Sequence, residues 1–232
     1  MSFIVAIDGT AGSGKGTISD IVSKELNLTN IDTGATYRCV ALATIRNNIK
    51  LEEKEKIIAL LDEISIDIEL DGESQIFILN GEDVTKEIRG AEVTAIVSQI
   101  SAIPEVRLKL VELQRKLAKG KNVIMDGRDI GTYVFPNANV KIYLDASVEK
   151  RAERRFEENK LKGINTTYEE VLANIKMRDK QDKEKEIGAL KIAEDAIVID
   201  TSNLTIEEVA EKVKDVIKEK GEYCNGQSKI HL

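Results

Sequence analysis

The 232-residue sequence predicts an α/β protein: a three-layer core with helices on both faces of a five-stranded parallel sheet, plus a small antiparallel β insert. Three observations carry that reading. Apolar, β-branched runs of five or six residues alternate with helical patterns, and runs so continuously apolar suit strands buried on both faces. The first run leads directly into a glycine-rich turn and a helix start, the unit from which doubly wound sheets are built. One stretch alone, 64–84, switches to alternation of apolar and polar residues.

Taken in order, "FIVAID" (3–8) is the first strand, and a helix follows over 15–26. "LTNID" (28–32) is a weaker second strand. The stretch 64–84, "ISIDIELDGESQIFILNGEDV", alternates on either side of Gly72 and turns again at Asn80 and Gly81, the pattern of an antiparallel meander. Such a unit does not belong inside a parallel core and is expected beside it. Helical periodicity resumes over 92–119 with a break at Pro104, whose ring cannot sit in a helix interior. "NVIMD" (122–126) and "VKIYLD" (140–145) give two further strands. Helices are expected over 147–161 and 168–183, then a last strand "AIVID" (196–200), a helix over 206–219 and a tail, 221–232.

Composition narrows the function classes. The net charge of -7 repels nucleic acid and acidic membranes in bulk, and with four Phe, five Tyr and no Trp a base-stacking surface is not expected. The two cysteines, Cys39 and Cys224, have no metal-ligand or redox spacing, and the lone His231 sits in the tail. The expectation is a reducing, cytoplasmic setting with neither membrane nor nucleic-acid partner.

"AIDGTAGSGKGT" (6–17) places Gly9, four residues, Gly14 and Lys15 in phosphate-loop spacing, but then Gly16 stands where a hydroxyl is usual, with Thr17 one place late. Glycines let backbone N–H groups wrap a phosphate, the following helix aims its positive end there, and Lys15 adds a point charge. The predicted ATP-binding set is therefore Gly9, Thr10, Ala11, Gly12, Ser13, Gly14, Lys15, Gly16 and Thr17. Gly16 cannot ligate Mg²⁺. The ion would sit between phosphate oxygens and water, with help from Asp126, which favours a phosphoryl-transfer enzyme over a nucleotide switch.

Ligands in an open α/β sheet bind beyond the carboxyl ends of its strands. "IDTGATYR" puts Asp32, Thr33, Tyr37 and Arg38 there, and "MDGRDIG" puts Asp126, Arg128 and Asp129 there. Residues 150–191 hold twelve Lys or Arg against nine Asp or Glu. Within them, helical spacing brings Arg151 beside Arg154 and Arg155, and Arg178 beside Asp182 and Lys185.

Together "IDGTAGSGKGT", "DTGATYR", "SQISAIPEVR", "DGRDIGTYVFP", "VKIYLDASVEKRAERR" and "IKMRDKQD", in this order, resemble the bacterial cytidylate kinase family of P-loop proteins over residues 3 to about 215. The resemblance implies transfer of the ATP γ-phosphoryl to CMP or dCMP, with Mg²⁺. It further implies that Ser98, Arg107 and Asp129 read the cytosine and that Arg38, Arg128 and Arg178 hold the acceptor phosphate. Asp182, with Thr33 or Tyr37, would meet the sugar, and Arg151 and Arg155 would belong to a mobile lid. Lys15, Arg128, Arg151 and Arg155 are then the catalytic candidates. Three residues depart from the family pattern, Ala11 where relatives often have Pro or Ser neighbours, Thr33 for the commoner Ser and Lys185 for an Arg, and a Lys lacks the fork that grips a phosphate. The implied organisation is one domain, 1–232, acting as a monomer. Its core spans about 1–35, 120–149 and 185–220, with an acceptor-binding region of about 36–119 that includes the insert and a lid of about 150–165. A UMP kinase and a non-catalytic nucleotide switch are the alternatives.

Overall fold

The structure, a computed structural model, describes residues 2–71 and 74–220. Strand β1 (Ile4–Gly9) runs into α1 (Lys15–Glu25), then β2 (Thr29–Asp32), α2 (Thr33–Arg46) and α3 (Lys54–Glu63). Strands β3 (Ile66–Asp71), β4 (Ser74–Leu79) and β5 (Glu82–Asp83) lead through a 3₁₀ turn (Glu87–Arg89) to α4 (Ala91–Ile100) and α5 (Pro104–Ala118). Strand β6 (Val123–Gly127) is followed by a single π-helical turn (Ile130–Val134), β7 (Val140–Asp145), α6 (Val148–Leu161), α7 (Tyr168–Lys183), β8 (Ile197–Asp200) and α8 (Ile206–Lys220).

The parallel sheet has the order β2-β6-β1-β7-β8, so the strand that ends at Gly9 lies in its centre. Side chains alternate across it as a pleated strand requires. Val5, Ile7 and Ile124 pack with Ile18, Val22, Val213 and Ile217 of α1 and α8, while Ala6, Val123 and Met125 pack with Val111 of α5 and with Ile130 and Val134. These are the two helical layers. The five strands and the helices over 15–26, 92–119, 147–161, 168–183 and 206–219 stand where the sequence put them, to within two residues.

The meander is antiparallel, in the order β3-β4-β5, with Ile68 opposite Phe77. Its second turn falls on Asn80 and Gly81, both at positive φ (52° and 82°), the geometry of a two-residue hairpin loop. The turn expected at Gly72, and the tail 221–232 with Cys224 and His231, lie outside the described residues. Rather than standing apart, the meander lends Phe77, Leu79 and Val84 to a core shared with α2, α3, α4 and α5.

Two helices were not anticipated, α2 and α3. The sequence pattern predicts no element over 33–46, but Asp32 caps a helix there by accepting from the Ala35 N–H (3.1 Å). Ten of its fourteen residues are buried. A helix apolar on almost every side shows no amphipathic period, and its Gly34 and three threonines lower its helix propensity, so nothing in the pattern announced it.

The approach of β1 to β7 requires glycine at position 9. There φ is 153°, and an added Cβ would lie 2.1 Å from the Leu144 carbonyl oxygen, a backbone atom that cannot step aside. Gly9→Ala is expected to lose at least about 2 kcal/mol of stability, a fall in Tm of roughly 5 °C or more, measured by thermal circular dichroism. An unchanged Tm would show that the two strands can separate without cost.

Candidate active site

The carboxyl ends of β1, β2 and β6 converge with the ends of α6 and α7. Beyond β1, residues 10–14 form the loop that leads into α1, with Gly12 and Gly14 at positive φ. Gly14, Gly16 and Thr17 are exposed at the mouth of α1, whereas Lys15 is buried. Its ammonium donates to the Thr10 carbonyl (2.7 Å) and the Ser13 hydroxyl (3.3 Å). Burial, and next the positive charge of Arg128, hold it well below the ordinary lysine range.

Arg151 lies beneath this loop. It donates to the carbonyls of Ala146 (2.9 Å) and Ala11 (3.0 Å) and forms an ion pair with Asp179 of α7 (2.8 Å). Only 4% exposed, it is a strut between α7, α6 and the loop. Asp179 went unremarked in the sequence because its partner lies 28 residues away on another helix. Arg155, one turn further along α6, is exposed and pairs with Glu158 (3.3 Å). The hairpin of α6 and α7 packs around three buried residues, Ala152, Val171 and Ile175.

The acceptor edge is dominated by guanidinium groups. Arg128 donates to Asp182 (2.8 Å), whose other oxygen accepts from Lys185 (2.8 Å), so both carboxylate oxygens are engaged. Burial opposes charge on all three, but Arg128 and Lys185 together hold the Asp182 carboxyl well below the usual range. Arg38 donates to the Ile88 carbonyl (3.1 Å) and the Thr94 hydroxyl (2.9 Å) and, among the described residues, has no acidic partner within bonding distance. Its pKa is lowered by burial and then by Arg89, Arg155 and Arg128, with Asp32 opposing. Arg178 is lowered to about 10 by burial and by Arg128, Arg38 and Arg155, and its buried Nε has no hydrogen-bond partner. Four guanidinium groups from α2, the β6 loop, α6 and α7 thus repel one another around one place.

Beside them Arg107 of α5 and Asp129 form a buried ion pair, with the Arg107 guanidinium 5.4 Å from the Tyr37 ring centre and bonded to the Ser101 carbonyl (3.2 Å). The buried Arg107 Nε makes no hydrogen bond. Ser98 belongs to the same corner through its carbonyl, which accepts from the Ser101 hydroxyl (3.0 Å). The loop after α7 closes the corner, with Gly188 set so that its Cβ would overlap Asp129 and Arg107. Thr33 turns its hydroxyl onto the Asp126 carbonyl (2.7 Å), a bond that ties α2 to β6.

Two acids remain. Asp126 has a buried Oδ1 without a partner, and burial, with Asp32 next, raises its carboxyl. Asp8, the penultimate residue of β1, accepts from the amides of Ile130 (2.8 Å) and Gly131 (2.7 Å). Among the described residues no three His, Cys, Asp or Glu side chains are grouped to hold a metal ion by themselves.

Comparison with known proteins places the chain in a family. The sequence profile described as "Cytidylate kinase" matches residues 5–219. A cytidylate kinase of Caldicellulosiruptor saccharolyticus is 52% identical over 91% of this chain and 94% of its own length, and one of Caldanaerobacter subterraneus subsp. tengcongensis is 52% identical over 94% and 96%. Among solved structures, a gluconokinase from Sinorhizobium meliloti superposes with a TM-score of 0.51 at 11% identity, covering 98% of both chains, and shares the fold.

Because Arg107 is 2% exposed, removing its partner leaves a charge with nowhere to go. Asp129→Ala is expected to cost about 3–5 kcal/mol in denaturant unfolding, while the double variant Arg107→Met, Asp129→Leu recovers most of it. Equal losses in the single and double variants would mean that the pair itself stabilises the fold.

Proposed function

The chain belongs to the cytidylate kinase family, and from that membership and the convergence of guanidinium groups we propose that it transfers the γ-phosphoryl of ATP to CMP and dCMP, releasing ADP with CDP or dCDP. It is a kinase, a phosphotransferase whose acceptor is itself a phosphate. The observation that carries the acceptor assignment is the clustering of Arg38, Arg128, Arg155 and Arg178: burial and then neighbouring guanidinium charge lower the pKa of Arg38 and Arg178, and the Arg178 Nε has no hydrogen-bond partner. Only an anion relieves that repulsion, and a phosphate accepts the planar forks bidentately.

The residues divide between the two substrates. Backbone amides of 10–17 and the N-terminus of α1 suit the donor phosphates, with Lys15 moving from the Thr10 carbonyl onto them. Arg38, Arg128 and Arg178 take the acceptor phosphate, and Arg155, free on its exposed side, adds charge from α6. Asp129 and Ser98 address the amino edge of the cytosine and the unpaired Arg107 Nε its carbonyl side. Asp182, between Arg128 and Lys185, meets the sugar, near Tyr37. Thr33 acts indirectly, through the bond that fixes α2 against β6.

The acceptor oxygen is already ionised, so no general base is needed, and the protein contributes alignment and charge. We assign Mg²⁺ as the metal. The partnerless Oδ1 of Asp126 is the side-chain atom suited to it, with phosphate oxygens and water as the remaining ligands, and the ion would neutralise charge developing between the two phosphates. Water must be kept from the reacting phosphoryl, and the α6–α7 hairpin, with its three-residue core, is the element proposed to close over it. The reading includes a monomer working in the cytoplasm, apart from membranes and nucleic acid, in keeping with the net charge of -7.

A coupled ADP-release assay across CMP, dCMP, UMP and AMP tests the activity. The expected outcome is highest kcat/KM with CMP or dCMP, and equal or better rates with UMP would remove the cytosine assignment. Lys15→Ala is expected to lower kcat by at least about a hundredfold while the KM for CMP stays within about threefold. A variant with near-normal kcat would take Lys15 off the donor phosphates.

A further inference from the structure

Asp8 has no place among the substrate-binding groups above, yet its carboxylate meets the loop that carries two of them. We propose that Asp8 is a positioning residue for the acceptor: from the central strand it fixes where Arg128 and Asp129 stand relative to the donor loop. The proposal rests on the kinase reading above and goes one residue behind the contacts named there.

The geometry is that of a short span clamped at both ends. At one end Gly127 is held in the β6 ladder, directly opposite Asp8 in the pairing of β1 with β6. At the other, the amides of Ile130 and Gly131 are held by the two oxygens of Asp8, at 2.8 and 2.7 Å. Only Arg128 and Asp129 lie between. Asp129 has φ -145° and ψ 24°, outside the helical and extended regions, so the backbone has turned sharply to reach the second clamp. The two side chains leave this span for different partners, Arg128 for Asp182 and Asp129 for Arg107. One carboxylate therefore sets the base reader and the phosphate reader together. Its neighbour in sequence is Gly9, where the donor loop begins, so the spacing between donor and acceptor sites passes through Asp8.

The amides at the start of a helical turn lack partners within it, and many groups could satisfy them. An Asp is a costly choice at 5% exposure: burial raises its carboxyl to about 6, and the two amide bonds pull the other way. What Asp alone offers is two acceptors on one short, rigid side chain. Asn supplies one acceptor and turns its own N–H groups against the second amide. Asp8→Asn thus keeps shape and burial while releasing one of the two amide bonds at the second end of the clamp.

The test is steady-state kinetics of Asp8→Asn beside wild type, with CMP, UMP and ATP varied. The expected result is a CMP KM raised at least about tenfold and a CMP-over-UMP preference narrowed at least about threefold, with the ATP KM within about twofold. An unchanged CMP KM and preference, or an ATP KM that rises in the same proportion, would overturn the assignment, because a general packing defect does not single out one substrate. Wild-type protein inactive on CMP would sink the parent reading and this one with it; active wild type beside an unaffected variant would sink this one alone. Should Asp8→Asn not fold, amide hydrogen exchange of the wild type decides. Ile130 and Gly131 are expected to be protected as strongly as β6, and exchange at open-loop rates at either would overturn the clamp.

Discussion

The pairing of Arg128 and Lys185 with Asp182 is the contact on which the acceptor edge depends. Three further guanidinium groups stand near Arg128, and burial disfavours the charge on two of them, Arg38 and Arg178. A single acid that keeps its charge far below neutral pH, because two cations hold it, lets Arg128 remain ionised in that company. Without Asp182, Arg128 would add its full repulsion to Arg38, Arg155 and Arg178. The pairing also joins the β6 loop to the end of α7, so the electrostatic balance and the placement of α7 are one constraint.

The parallel sheet makes that constraint workable. With β1 central, the donor loop and the Arg128 loop leave adjacent strands on the same edge, and α2 is tied to β6 by Thr33. Two helices complete the site: α5, from the layer packed on the sheet, brings Arg107, and α7, outside the layers, brings Asp179, Arg178 and Asp182. Asp179 faces Arg151 and the donor loop, while Arg178 and Asp182 face the acceptor edge. One helix thus borders both the donor loop and the acceptor edge, and it packs on α6 around Ala152, Val171 and Ile175.

What the sequence revealed and what it withheld follow from the range of each interaction. The five strands, the Pro104 break and the Asn80-Gly81 turn are local signals, and each was legible. So were the site residue types, because the phosphate loop and the "GRD" turn sit on apolar strands whose ends must converge. Helix α2 was not legible, being buried on nearly every side. The contacts of Arg151 were out of reach for a different reason: a row of charges on a helix does not name its partners, and only the fold brings Ala11 from 140 residues away to receive it. The closeness of Asp8 to Ile130 and Gly131 is likewise a property of the pairing of β1 with β6, invisible in either segment alone.

Electrostatic crowding at the acceptor edge is the centre of the account, and the affinity of the edge for a phosphate tests it most directly. Calorimetric titration of CMP and of cytidine into the same protein compares ligands that differ only in that group. The account predicts CMP binding at least about a hundredfold tighter, with the difference shrinking as salt is raised, since paired guanidinium–phosphate bonds made away from water are worth several kcal/mol. Equal affinities for CMP and cytidine would contradict it, because the clustered arginines would then not be a phosphate site.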